Sequence, residues 1–274
     1  MSETQPDYEV RPFAGLPSEA DWVALRKLVP AATATAQLNA AHSAKPVQVV
    51  TLLPDLHPAW QRADGQPVLA LQSAYASADP GLDLGQALEL ALKAEPGNPV
   101  TSIDPGAPSP RLQDMLDLDF DFTVTVHQTF EYWKDLDPDD ADMTQAIEDA
   151  SKAIDPTDAV PDTPSAYWTK LGGRPYLRWS LGIEETELLD ALARLQAKRQ
   201  AGVVDGAKYV GAFRSLGMII PVWELPTGTE AADLTDPLGS FRERLNKALA
   251  VGDDLSVAER RARAGLVARS VTLR

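Results

Sequence analysis

The sequence predicts an α+β fold with mixed or antiparallel sheets and packed helices. Stretches in which apolar and polar residues alternate, the pattern of half-buried strands, occur along the 274-residue chain. Other stretches place apolar residues every three or four positions, which is the pattern of amphipathic helices. Gly172-Gly173 separates two strand-like stretches directly, as in an antiparallel hairpin. Together these patterns indicate helices packed on sheets that contain hairpins.

Residues 1–105 are expected to form an N-terminal α+β lobe. A helix is predicted near residues 19–29, followed by strands at about 33–38, 47–53 and 68–73. A second helix, residues 82–94, turns Leu84 and Leu88 inward and ends before Pro96-Gly97. The stretch 96–110 is rich in proline and is the best candidate for a linker or long loop.

Residues 106–274 are expected to form a C-terminal α+β lobe that includes an acidic segment, residues 114–163. Beyond that segment the patterns predict a hairpin at 166–171 and 175–181, helices at 184–199 and 208–216, a strand at 218–225, and helices at 241–250 and 257–269. Two short internal matches pair residues 24–28 with 212–216 and 65–69 with 173–177. They leave open whether the two lobes are related by a permuted duplication.

The acidic segment carries almost the whole net charge. The chain has 25 basic and 40 acidic residues, a net charge of −15, and residues 114–163 hold fifteen acids against Lys134 and Lys152. Such a run is often a solvated linker. Here residues 119–130 alternate like a strand, and Met143, Ile147 and Ile154 follow helical spacing. The segment is therefore expected to be folded, with its acids outside.

Several function classes lack their sequence signals. The chain has no phosphate-binding glycine loop and no cysteine, which excludes thiolate zinc sites and disulfides. An EF-hand spacing beginning at Asp137 fails because its sixth position is Asp142 rather than glycine. No cofactor and no bound metal are predicted. The negative charge makes nucleic acid an unexpected partner, and no apolar run is long enough to cross a membrane.

The candidate catalytic residues are two histidines with nearby acids. His127 and Asp121 share the polar face of the predicted acidic strand, and His57 lies beside Asp55. Asp121 and His127 are six residues apart on a strand, about 20 Å, so a shared site needs a group from a neighbouring strand. Imidazole and carboxylate from adjacent strands would suit a metal-assisted hydrolase. The alternative is a solvated sheet face with a hydrogen-bonded histidine.

Two basic or aromatic features are candidate partner surfaces. The C-terminal helix carries Arg260, Arg261 and Arg263 beside an apolar stripe. It could bind RNA or another acidic surface, or it could dock on the chain's own acidic segment. The centre of the chain is rich in aromatic residues, and Arg174 and Arg178 lie on the strand face opposite Trp179. Those arginines could present charge to a partner, although core packing alone explains the aromatic residues.

Several stretches of the sequence resemble one known family. They are Tyr8-Glu9-Val10-Arg11-Pro12-Phe13, Asp21-Trp22-Val23-Ala24-Leu25-Arg26, Gly172-Gly173-Arg174-Pro175-Tyr176-Leu177-Arg178-Trp179, Ile219-Ile220-Pro221-Val222-Trp223-Glu224-Leu225 and Ala258-Glu259-Arg260-Arg261-Ala262-Arg263. The chain resembles, over nearly its whole length, an uncharacterised family of actinobacterial cytoplasmic proteins known as a domain of unknown function. The resemblance implies no catalytic residue.

The sequence therefore favours a non-catalytic binding or scaffold protein that acts through an acidic surface. Asp119, Asp121, Asp137 and Asp139 are the candidate residues for binding a basic protein surface. The N-terminus lacks the basic start and apolar stretch of a secretory signal, so the cytoplasm is the expected location. The metal-assisted hydrolase is the alternative.

Overall fold

The computed structural model describes residues 8–75, 77–105, 107–137 and 142–269. Its contacts divide the chain into two compact units, Met1–Ile154 and Asp155–Arg274. The boundary expected from the sequence, between residues 105 and 106, falls inside the first unit. The proline-rich stretch 96–110 contributes a short strand to the sheet of that unit. Whether residues 1–105 form a separate lobe stays a prediction.

The first unit contains a mixed six-stranded sheet. Its strands are β1 (Ala32–Gln37), β2 (Pro46–Leu52), β3 (Ala59–Gln61), β4 (Pro67–Gln72), β5 (Pro99–Val100) and β6 (Val124–Val126). The strand order is β5-β3-β4-β2-β1-β6. Only the β2–β4 pair is parallel, and the other neighbours are antiparallel. The sheet therefore confirms the predicted mixed character.

Helical segments cover both faces of this sheet. The helices of the unit are α1 (Glu19–Lys27), α2 (Pro80–Lys93), α3 (Leu112–Met115) and α4 (Met143–Ser151). Helices α1 and α2 contact β4. Val68 and Ala70 of β4 belong to a separate apolar cluster with Trp133 and Ile147. Because successive side chains of a strand point to opposite faces, α4 and the 3₁₀ helix Glu131–Asp135 lie on the other side of the sheet.

The second unit contains an antiparallel five-stranded sheet with helices on one face. Its elements are β7 (Thr157–Ala159), β8 (Ala166–Leu171), β9 (Arg174–Trp179), α5 (Glu185–Ala197), β10 (Lys208–Ser215), β11 (Met218–Glu224), α6 (Thr235–Leu249) and α7 (Val257–Ala268). The strand order is β10-β11-β9-β8-β7. Trp179 and Trp223 pack with Leu188 of α5 and Phe241 of α6 in one core. This face of the sheet is thus closed by helices of its own unit.

The predicted hairpin at Gly172-Gly173 is confirmed, and two other predictions need correction. The predicted helix at 208–216 is wrong. Residues 208–215 form strand β10, which pairs along its length with β11, and Leu216 and Gly217, with φ values of 48° and 78°, form the tight turn between the two strands. The acidic strand predicted at 119–130 is short. Only Val124–Val126 pairs, along the edge of the sheet against β1, and Phe130 already precedes the 3₁₀ helix.

The internal matches correspond to like elements in only one case. Gly65 and Gly173 both occupy hairpin turns that lead into a strand, β4 and β9 respectively. The other match aligns helix α1 with strand β10. In the described residues, no helix has the length and apolar composition that crossing a membrane requires.

Candidate functional site

An acidic layer lies on one side of the first unit's sheet, and buried aromatic residues fix its orientation. Tyr132 Oη donates to the carbonyl of Leu52 at 3.0 Å, and Trp133 Nε1 donates to the same oxygen at 2.9 Å. The rings of Phe130 and Trp133 stack with centroids 4.7 Å apart. With these three rings buried, the intervening Glu131 and the following Asp135 point to solvent.

Helix α4 continues the same layer. Its Met143 and Ile147 are buried against the aromatic residues, so the opposite side of the helix is exposed. That side carries Glu148 and Asp149, and Asp142 precedes the helix. We define the acidic layer as Glu131, Asp135, Asp142, Glu148 and Asp149.

The two lysines of this layer are already paired with neighbours on their own element. Lys134 Nζ lies 2.6 Å from Glu131, and Lys152 Nζ lies 2.7 Å from Asp149. The bond from Lys152 lowers the pKa of Asp149, and the same contact raises the pKa of Lys152. Asp135 and Glu148 have no salt bridge within the described part of the chain. The layer therefore presents more negative charge than its own bases can balance.

None of the four acids selected from the sequence is among the five that define this layer. Asp119 and Asp121 are exposed in the loop that leads into β6. The backbone N–H of Asp119 donates to the carboxylate of Asp117 at 3.1 Å, which fixes the start of that loop. Asp137 is half-buried after the 3₁₀ helix, and Asp139 lies outside the described residues.

The two candidate histidines contact different aromatic rings. His57 follows the 3₁₀ turn Pro54–Leu56, in which Asp55 has a positive φ of 52°. The rings of His57 and Trp60 are arranged edge to face, with their centroids 5.8 Å apart. His127 follows β6, and its Nε2 lies 2.9 Å from Thr33 Oγ1. The His127 ring is 5.5 Å from that of Tyr132, and burial lowers its pKa.

The strand order keeps these histidines apart. His57 leads into β3 and His127 follows β6, and β4, β2 and β1 lie between those two strands. Four strand spacings amount to about 19 Å. Asp121 is on the exposed loop before β6 rather than beside His57. Within the described ranges, no three His, Asp or Glu side chains are grouped so that they could hold a metal ion.

Two of the three candidate C-terminal arginines are engaged within the second unit. Helix α7 packs on α5, and Arg263 Nε lies 2.6 Å from Asp190 Oδ1. The guanidinium of Arg260 donates to the carbonyl of Leu255. Arg261 is exposed. Arg263 therefore pairs with an acid outside segment 114–163, so its charge is balanced locally.

Sequence reasoning missed a polar groove beside this helix pair. The groove has a volume of about 960 Å³, and Arg260 and Arg263 line it together with Arg194. Arg194 is only 8% exposed and donates to the carbonyl of Asp253 at 2.7 Å. Its position between Ala193 and Leu195 on the apolar side of α5 was the available signal. Glu184, Glu187, Asp190, Asp253 and Asp254 also line the groove, so its charge is mixed.

Comparison with known proteins gives a family but no activity. Residues 12–274 match a family described as Family of unknown function (DUF5926). No curated protein and no solved structure is significantly similar to the chain.

Proposed function

Because the chain belongs to DUF5926, a family of unknown function, we propose from its own surfaces that it is a non-catalytic binding protein whose acidic layer binds a basic protein surface. The layer has five exposed carboxylates and two lysines, which leaves a formal charge of −3. That imbalance is the observation that carries the proposal. A patch of one sign accelerates association with a patch of the opposite sign and fixes the orientation of the encounter.

The burial beneath the layer gives it a fixed shape. Tyr132 and Trp133 are hydrogen-bonded to the sheet, and Met143 and Ile147 hold α4 against them. The backbone that carries the exposed carboxylates is therefore ordered before a partner arrives, which limits the entropy lost on binding to that of the side chains. The chain's own Arg263 pairs with Asp190 within the second unit.

A binding role also fits the placement of the candidate catalytic groups. His57 and His127 lie on strands separated by three others, and each ring contacts an aromatic neighbour. Such contacts are those of histidines that help to build a folded face. The metal-assisted hydrolase needs both rings at one site and receives no support from this geometry.

A pair of matched variants tests the proposal. Asp135→Asn combined with Glu148→Gln removes two charges from the acidic layer, and Asp205→Asn combined with Glu243→Gln removes two exposed charges from the second unit. Full-length protein of each kind is used to capture proteins from an extract of the source organism, at low and at physiological salt. Captured proteins are quantified against the wild type.

We expect the layer variant to retain at least tenfold less of a set of basic proteins, with a weaker salt dependence, and the control variant to retain them all. Equal capture by both variants would contradict the proposal. A third variant, Asp119→Asn with Asp121→Asn, shows whether the loop before β6 belongs to the same surface. If only this third variant loses binding, the binding site is the loop before β6 rather than the acidic layer.

A further inference from the structure

A small apolar cavity lies on the sheet of the second unit. It has a volume of about 250 Å³ and is lined by Leu171, Tyr176, Arg178, Val210, Phe213 and Val222. Leu177 and Trp179, which alternate with Tyr176 and Arg178 along β9, belong to the core shared with α5 and α6. The cavity therefore opens on the sheet face opposite the helices of its own unit.

The charge of Arg178 is poorly compensated in this cavity. Its Nε is buried and has no hydrogen-bond partner, and its guanidinium forms no salt bridge in the part of the chain that the structure describes. Burial lowers the pKa of Arg178 to about 10, and the charge of Asp155 opposes that effect only in part. Arg178 as a whole is half-buried, so part of its guanidinium stays accessible. An anion that pairs with the guanidinium would compensate its charge and offset the partial desolvation.

We propose that this cavity binds a small monocarboxylate, with the carboxylate on Arg178 and an apolar body between Val222, Phe213 and Leu171. Arginine presents a planar pair of donors that matches a carboxylate. The rest of the lining is almost entirely apolar, which suits the body of such a ligand. A doubly charged phosphate would exceed the single positive charge of Arg178 in apolar surroundings.

The size of the cavity limits the ligand. Sites for drug-sized molecules occupy roughly 300–1,000 Å³, so a volume of about 250 Å³ fits a shorter molecule. Sodium octanoate is a suitable probe, and 1-octanol is its uncharged counterpart with the same chain. The contrast between them isolates the contribution of the carboxylate.

The experiment is calorimetric titration of the full-length protein with each probe. Arg178→Met removes the cation, and Arg174→Met is the matched control. Arg174 lies four residues away on the same strand, is exposed, and is 3.7 Å from Glu224. We expect octanoate to bind the wild type and the control saturably and at least tenfold more tightly than 1-octanol, and Arg178→Met to lose that preference.

A stability measurement separates this site from a structural role of Arg178. If Arg178 serves to bind a ligand rather than to stabilise the fold, we expect Arg178→Met to be at least as stable as the wild type in the absence of octanoate. The reason is that an apolar side chain replaces a charge that has no bonded anion. Octanoate then raises the Tm of the wild type and leaves that of the variant unchanged. A lower Tm of the unliganded variant, together with no octanoate binding to the wild type, would overturn the proposal.

A second variant keeps the test decisive if Arg178→Met does not fold. Val222 pairs with Arg178 across β11 and β9, and Val222→Phe fills the cavity while it keeps the cation. We expect this variant to bind octanoate at least tenfold more weakly than the wild type. Undiminished binding of octanoate by Val222→Phe would show that the carboxylate binds elsewhere and would overturn the assignment.

Discussion

The guanidinium of Arg111 clamps the buried carboxylate of Asp79. One nitrogen donates to Oδ2, and Nη2 donates to Oδ1 at 3.2 Å. The same carboxylate caps α2 by accepting the backbone N–H of Gly81 at 2.9 Å. Arg111 is itself the residue that precedes α3. One carboxylate therefore fixes the start of α2 and joins it to α3.

Loss of this carboxylate should be among the more damaging changes in the first unit. We expect Asp79→Ala to lower the free energy of unfolding by about 3 kcal/mol, because it leaves Arg111 without its main partner and α2 without its cap. Urea denaturation gives the value. As a control, Glu89→Ala removes an exposed ion pair with Lys93 and should change the stability by less than about 0.5 kcal/mol. Equal effects of the two changes would contradict this account of the clamp.

Local sequence signals predict much of the fold, but they do not predict the pairing of strands that are far apart in the sequence. The hairpin at Gly172-Gly173 follows from a two-residue turn, and the helix at 185–197 has acids in its first turn. Strand β10 was mistaken for a helix because a bulge between Tyr209 and Gly211 interrupts its two-residue period. Pairing of β3 with β5 joins residues about forty positions apart in the sequence, and a short sequence window holds no signal for such a pairing.

The same limit applies to the candidate sites. Sequence patterns placed His57 and His127 near strands but could not give the strand order, which separates them. Arg178 alternates with Leu177 and Trp179 and therefore looked like a residue on an open face, whereas it lies in a cavity. Most of the acids of 114–163 that the structure describes are exposed, as the sequence predicts, because so concentrated a charge is costly to bury.

Two buried tyrosines should respond differently to removal of the hydroxyl group. Tyr132 Oη donates to Leu52 and lies 3.2 Å from Thr51 Oγ1, whereas the hydroxyl of Tyr209 has no hydrogen-bond partner among the residues that the structure describes. We expect Tyr132→Phe to cost about 1 kcal/mol and Tyr209→Phe to be neutral or slightly stabilising. Thermal unfolding of the two variants under the same conditions decides this. A larger loss for Tyr209→Phe would show that its hydroxyl is bonded in solution.

The environment of His127 should make stability fall in weak acid. Burial lowers the pKa of His127, so the folded state favours the neutral ring. The contribution of this group is complete above the unfolded pKa of about 6.5 and is lost as the pH falls through the folded pKa. Between pH 7.5 and 5.5, the wild type should therefore lose more stability than His127→Gln. Urea denaturation across that range measures the difference, and identical pH profiles would contradict it.

Two helical glycines provide the sharpest contrast in packing. A Cβ on Gly85 of α2 would lie 1.9 Å from the carbonyl oxygen of Pro110, and that contact is with backbone, which cannot rotate away. Among the described residues, a Cβ on Gly239 of α6 would meet no atom within 4 Å apart from its chain neighbours and the nearby backbone of its own helix. Gly85→Ala should therefore destabilise the protein by at least about 2 kcal/mol, because helix and loop must separate. Gly239→Ala should stabilise it by about 0.5–1 kcal/mol, because alanine restricts the unfolded chain and favours the helix. Denaturation curves of both variants test the pair, and a tolerated Gly85→Ala would mean that α2 and residue 110 are not in this close contact.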